Sequence, residues 1–186
     1  MERRPLGRTG LEVSAVGLGT WALGGPAVLG GLPFGWGPVD EAEALATIRA
    51  SLDAGVTLLD TADIYGWGRS ETLIRKALEG RRGKPVIVTK VGNVQDAKGE
   101  AAKDFSAAWV LPAVEGSLKR LGLDTIDLLL LHSPPDTFRY TPETAEPFER
   151  LRKQGLDIRG PFRWPGGERS IYFKDPEGNV VELICS

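Results

Sequence analysis

Several apolar runs end in side chains that could move a proton. Asp60 closes residues 56–60, Lys90 closes 86–90, and His132 closes 126–132, while Thr20 and Trp21 lie at the end of 15–22. Tyr65 follows shortly after, in Asp60-Thr61-Ala62-Asp63-Ile64-Tyr65-Gly66. If these runs are parallel strands of a strand–helix barrel, their C-terminal ends meet at one mouth. An acid, a phenol, an amine and an imidazole on one rim suit proton donation to a carbonyl. A nearby ammonium lowers the pKa of a phenol, a carboxylate orients the ammonium, and an imidazole positions or polarises the oxygen. Singly, each has a plainer use: His132 as a structural histidine, Lys90 as a solvated strand end, Tyr65 as a packing aromatic. Their joint occurrence points to chemistry.

The elements needed to place these groups are written in the spacing. Residues 3–14 alternate around Gly7 and Gly10 and predict a small hairpin. Residues 15–22 predict a buried strand, and the Gly- and Pro-rich stretch 24–38 a long loop. Asp40 with Glu43 reads as an N-cap pair, and Ala42, Leu45, Ile48 and Leu52 keep helical spacing until Gly55 stops them. Strands follow at 56–60, 86–90 and 126–132, with helices at 70–78, 106–121 and 142–154. Pro112 and Pro147 allow a kink or a later start in the last two helices. The nearly continuous apolar run before His132 suits a parallel strand covered on both faces. Four strand–helix units in strict alternation predict an α/β fold with a parallel sheet, half of an eight-fold TIM-type barrel. After Gly155 the pattern changes to three strands without helices, at 156–164, 169–174 and 179–185, an antiparallel β segment. The expected division is a half-barrel over 1–150 and a β tail over 151–186.

Several stretches resemble the aldo-keto reductase family: Leu6-Gly7-Arg8-Thr9-Gly10-Leu11, Gly17-Leu18-Gly19-Thr20-Trp21, Asp60-Thr61-Ala62, Val88-Thr89-Lys90, Ser117-Leu118-Lys119-Arg120-Leu121 and Asp127-Leu128-Leu129-Leu130-Leu131-His132-Ser133. The resemblance covers about residues 3–150. It implies a catalytic tetrad of Asp60, Tyr65, Lys90 and His132, with Tyr65 as proton donor, Lys90 and Asp60 tuning it, and His132 orienting the substrate carbonyl. It also implies NADPH as hydride source and a small-molecule aldehyde or ketone as substrate. The family's second half-barrel carries most cofactor contacts, so Gly19, Thr20, Trp21 and Asp60 are the cofactor-side candidates on this half. Residues 148–186 resemble the end of a glyoxalase/bleomycin-resistance (vicinal oxygen chelate) module, above all through 169–183. In metal-dependent members of that family a Glu matching Glu182 is a ligand. The whole chain thus reads as a chimera or gene fusion.

Composition bounds these readings. The 186 residues fall short of the roughly 250 of a complete barrel. Lys+Arg 23 against Asp+Glu 25, a net charge of -2, leaves no basic footprint for nucleic acid. No apolar run reaches the roughly 18–20 residues of a membrane span, and residues 1–5 lack the apolar core of a signal peptide. A lone cysteine, Cys185, excludes an intrachain disulfide. A cytoplasmic protein is the expectation. Gly17, Gly19 and Ala22 formally fit a dinucleotide fingerprint, but Leu23-Gly24-Gly25-Pro26 breaks the helix that motif needs, and Asp40 serves better as a cap. Trp36 and Trp67 are expected to flank the mouth. A half-barrel leaves open strand edges, which the tail could cover or a second copy could pair with in a homodimer that completes a barrel. Two further readings stand beside the reductase: a catalytically silent structural chimera whose tail plugs the sheet, and a metal-dependent enzyme assembled across chains around Glu182.

Overall fold

Each apolar run that ends in a chemically active side chain becomes a strand of one parallel sheet. The computed structural model describes residues 1–7 and 9–135, and the backbone of residues 157–163, 169–174 and 180–185. β1 (Arg3–Pro5) and β2 (Glu12–Ser14) form the expected antiparallel hairpin. β3 (Leu18–Gly19) is much shorter than the predicted 15–22. Gly24 N donates to Thr20 O and Trp21 O, which turns the chain into a 3-10 helix over Ala22–Gly24. The glycine-rich loop beyond contains a small hairpin, β4 (Val28–Leu29) with β5 (Leu32–Pro33).

Helix α1 (Glu41–Asp53) begins where the cap pair placed it: the Asp40 carboxylate accepts from Glu43 N at 2.9 Å. β6 (Leu58–Asp60), α2 (Arg69–Leu78) and β7 (Val86–Val91) follow in alternation. The polar loop after β7 holds a second hairpin that the sequence reading did not contain, β8 (Asn93–Gln95) with β9 (Ala101–Lys103). Its turn is a side-chain device: Asp96 Oδ1 accepts from Lys98 N and Glu100 N. α3 (Ala107–Leu121) keeps Pro112 inside it and does not start later. β10 (Leu128–Leu131) closes the barrel part.

The four parallel strands lie in the order β3-β6-β7-β10, each beside its predecessor in sequence. That is the neighbour relation of consecutive staves of a partial barrel, as expected. Strand alternation then sorts the side chains. Leu59 and Ile87 point outward into a core shared with Ala44, Ile48, Leu73, Ile74 and Leu121 of the three helices. Ile48, Leu59, Ile74 and Ile87 are fully buried, each contributing about 1.5–3 kcal/mol of burial. Asp60 and Lys90, at the alternate positions of the same strands, point to the opposite face. The outer core thus holds the sheet from behind and leaves the inner face to the site.

β11 (Asp157–Arg163), β12 (Arg169–Lys174) and β13 (Val180–Cys185) pair antiparallel in sequence order. The expected helix 142–154 and the boundary near 150 lie outside the described residues, as do the side chains of the tail. Glu182 is therefore placed only by backbone register, opposite Tyr172.

Candidate active site

The site is built on the C-terminal ends of β6, β7 and β10. Lys90, near the end of β7, reaches three oxygens at once. Its Nζ donates to Asp60 Oδ1 at 2.7 Å, to Thr61 O at 2.9 Å and to Tyr65 OH at 3.2 Å. Its side chain is 14% exposed, so the ammonium sits mostly out of water with its three protons matched by three acceptors. Tyr65 is buried, and the loop that carries it is set by tight turns: Tyr65 N donates to Ala62 O, and Ser70 N returns to Tyr65 O. Gly66 and Gly24 must both be glycine, because a Cβ on Gly66 would strike Gly24 O and one on Gly24 would meet the Tyr65 backbone. The first turn after β3 is thereby locked against the loop that presents the phenol.

His132 follows β10, and its ring stands edge-on to Tyr65, with centroids 5.7 Å apart and planes at 82°. Its amide donates to Val91 O at 2.8 Å. Burial, and then the charges of Lys90 and Lys103, push its pKa down to about 4. The imidazole is therefore neutral at pH 7, able to donate or accept a hydrogen bond but carrying no charge. The structure brings the four sequence-predicted groups Asp60, Tyr65, Lys90 and His132 into one cluster.

The cofactor-side candidates divide. Trp21 stacks on Tyr65 with centroids 6.2 Å apart, and gathers Phe34 and Trp36 at 5.4 and 5.7 Å into an aromatic wall. Gly19 pairs with Asp60 across β3 and β6, and a Cβ there would meet nothing within 4 Å, so the rim beside Asp60 is open and bare. Such a surface fits a flat ring laid against the strand end. Thr20 is different. It is fully buried, and its hydroxyl donates to Asp60 O at 2.8 Å and accepts from Ser70 Oγ at 2.7 Å. It works from beneath the rim.

Trp36 lies in the wall of the mouth, as expected. Trp67 lines a separate cavity of about 290 Å³ with Asp63, Ile64, Asn93, Trp109 and Arg120, and none of the four acid–base groups borders it. Asp63 has its Oδ1 buried without a hydrogen-bond partner among the described residues, and burial followed by repulsion from Glu71 raises its pKa to about 7.

Supporting residues escaped the sequence reading. Ser70 Oγ joins Thr20 Oγ1 to Thr61 Oγ1, the latter at 2.9 Å, in a fully buried chain of hydroxyls. Glu71, also fully buried, accepts from Thr89 Oγ1 and from Arg120 Nε, both at 2.7 Å. Arg69 ties Leu23 O and Val39 O to the start of α2. In the sequence, Ser70 and Glu71 carried only the signal of a helix start. Among the described residues, no group of three or more His, Cys, Asp or Glu side chains is arranged to hold a metal ion, and no helix is long and apolar enough to cross a membrane.

The sequence profile of the Aldo/keto reductase family matches residues 15–159. The chain belongs to the aldo-keto reductase family. It is 40% identical over 157 residues to aldo-keto reductase YhdN of Bacillus subtilis, a match that covers 83% of this chain and 44% of that protein. It is 34% identical over 167 residues to the NADH-specific methylglyoxal reductase of Escherichia coli, covering 83% and 49%. Among solved structures, the holo form of aldo-keto reductase AKR11C1 from Bacillus halodurans superposes with a TM-score of 0.65 at 37% identity, covering 83% of this chain and 47% of that one. An aldo-keto reductase from Klebsiella pneumoniae in complex with NADPH superposes with a TM-score of 0.57 at 32% identity, covering 78% and 44%. The chain therefore spans less than half the length of these family members. Nothing in these matches supports the glyoxalase-like reading of the tail or a chimera.

Proposed function

We propose that this chain carries the carbonyl-reducing centre of a cytoplasmic aldo-keto reductase that acts on a small aldehyde or ketone with NADPH. The observation that carries the reading is the single ammonium of Lys90, shared between Asp60 at 2.7 Å and Tyr65 OH at 3.2 Å. Tyr65 is the proton donor. When its proton leaves for the carbonyl oxygen, the negative charge left on the phenol falls next to Lys90, in a site with little water to compete. Asp60 and Thr61 O keep the ammonium aimed. His132, neutral and edge-on to the phenol, donates to or orients the same carbonyl oxygen.

The nicotinamide would lie against Gly19, Trp21 and the exposed side of Asp60, where it supplies a hydride to the carbonyl carbon. The bare strand end at Gly19 and the indole stacked on Tyr65 support that seat. The choice of NADPH over NADH rests on the family resemblance, and assays with each cofactor decide it. A second copy would offer strands to the edge strand β3 and complete a barrel as a homodimer; the unpaired edge of β3 supports this, while β13 of the same chain already lies against β10.

The test is NADPH-dependent turnover of a generic aldehyde, with binding followed by cofactor fluorescence. Tyr65→Phe should lower kcat by about 100-fold or more while cofactor binding persists. An absence of NADPH binding at millimolar concentration by the intact chain would sink the reading in favour of a silent fold.

A further inference from the structure

His132 is the one histidine of the chain, and its ring lacks the usual support. A working imidazole is commonly oriented by a hydrogen bond on its second nitrogen. Here Nδ1 is buried and has no partner among the described residues. What holds the residue is its main chain. The amide donates to Val91 O at 2.8 Å, and the carbonyl accepts from Lys103 Nζ at 2.7 Å. Immediately afterwards the backbone bends sharply, with Ser133 at φ +50°, so the His132 peptide has no regular strand to steady it on that side.

Lys103 is itself fixed. It ends β9 opposite Asn93, and its Nζ donates to Asn93 Oδ1 at 2.5 Å. The base of this hairpin is anchored by Asp104 N donating to Gly92 O at 3.0 Å. Gly92, at φ +114°, has its missing Cβ position occupied by the Phe105 ring.

We propose that Lys103 is a positioning residue for His132: its ammonium ties the β8–β9 hairpin to the His132 carbonyl and so holds the imidazole edge-on against Tyr65. A charged donor makes this a stronger strap than a neutral hydrogen bond. The groups that face His132 are Lys90 from β7, Lys103 from β9 and Tyr65 from the loop after β6, while Asp60 partners Lys90. Asp63, from that same loop, faces Lys103. Most of the Lys103 side chain is at the surface, so shortening its reach leaves the core intact.

The proposal builds on the reading of His132 as the group that orients the carbonyl, and its test separates the two. The full chain is compared as wild type, Lys103→Met and Lys103→Arg. With a single histidine, NMR reads the imidazole without ambiguity. Lys103→Met should abolish the nuclear Overhauser contact between the His132 and Tyr65 rings and raise the histidine's titration midpoint above about 4. It should also lower kcat about tenfold while the KM for NADPH stays within about twofold. Lys103→Arg should restore the ring contact and kcat. Loss of charge alone would move the midpoint, so the ring contact and its rescue by Arg carry the positioning role. A ring contact that survives in Lys103→Met overturns the proposal. If no form of the chain reduces an aldehyde while the ring contact responds as expected, the reductase reading falls and the positioning role stands.

Discussion

Asp63 shows how the fold can hold a carboxyl group against its ordinary preference. Its folded pKa of about 7 lies above the ordinary 3.8 because burial and the neighbouring Glu71 both disfavour the charged form. The folded chain therefore binds a proton that the unfolded chain releases between those two values. Stability from this residue is complete below pH 3.8, falls as pH rises through 7, and is lost above it. Asp63→Asn keeps the shape and removes the titration. We expect it to raise the thermal midpoint at pH 8 by about 4–8 °C and to leave it unchanged near pH 4. A calorimetric scan at the two pH values decides; a gain of equal size at both would point to a packing effect instead. His132 behaves in the opposite sense. With its folded pKa depressed to about 4 from 6.5, its contribution is complete above pH 6.5 and is lost as pH falls through 4.

Among the elements, α2 does the most to hold the site in register. Its second and third residues reach three strands: Ser70 holds the ends of β3 and β6 through Thr20 and Thr61, and Glu71 holds β7 through Thr89. Arg120 of α3 completes the tie on the other oxygen of Glu71. Glu71→Ala would leave Arg120 and the buried Thr89 hydroxyl without their acceptor. We expect a loss of about 3 kcal/mol, read as a lower denaturant midpoint. Titratable residues at or just after the end of an apolar run were legible in the sequence, since residue type and position both carry signal. Asp60, Tyr65, Lys90 and His132 belong to that class. Ser70, Glu71 and Lys103 do not, because each acts through a partner distant in sequence that only packing brings near. The β8–β9 hairpin was missed for a local reason: its strands, Asn93-Val94-Gln95 and Ala101-Ala102-Lys103, are too short and polar to show alternation. Asp96 and Gly99 mark its turn all the same. β3 was read too long because apolar residues continue past Gly19, whereas the hydrogen bonds already turn the chain at Thr20.

At the scale of the molecule, four consecutive strand–helix units present the acid–base groups on one rim; β3, at one outer edge of the parallel sheet, lacks a hydrogen-bonded partner on its outer side among the described residues, while β13 lies alongside β10 at the other. An unpaired edge strand such as β3 invites pairing. If a second copy completes the barrel, sedimentation equilibrium should give twice the 20.1 kDa chain mass, and aldehyde turnover per chain should fall on dilution as dimers separate. A strict monomer with undiminished turnover would reject the homodimer. The same strand order has a consequence for how the chain reaches its fold. Every strand pairs with the one made just before it, so each step closes a loop of only one helix and its connections, at modest entropic cost. A complete barrel must also bring its first strand to its last, the most distant contact it makes. Among the described strands no pairing in this sheet spans more than one such unit, so the units can settle one after another as they leave the ribosome.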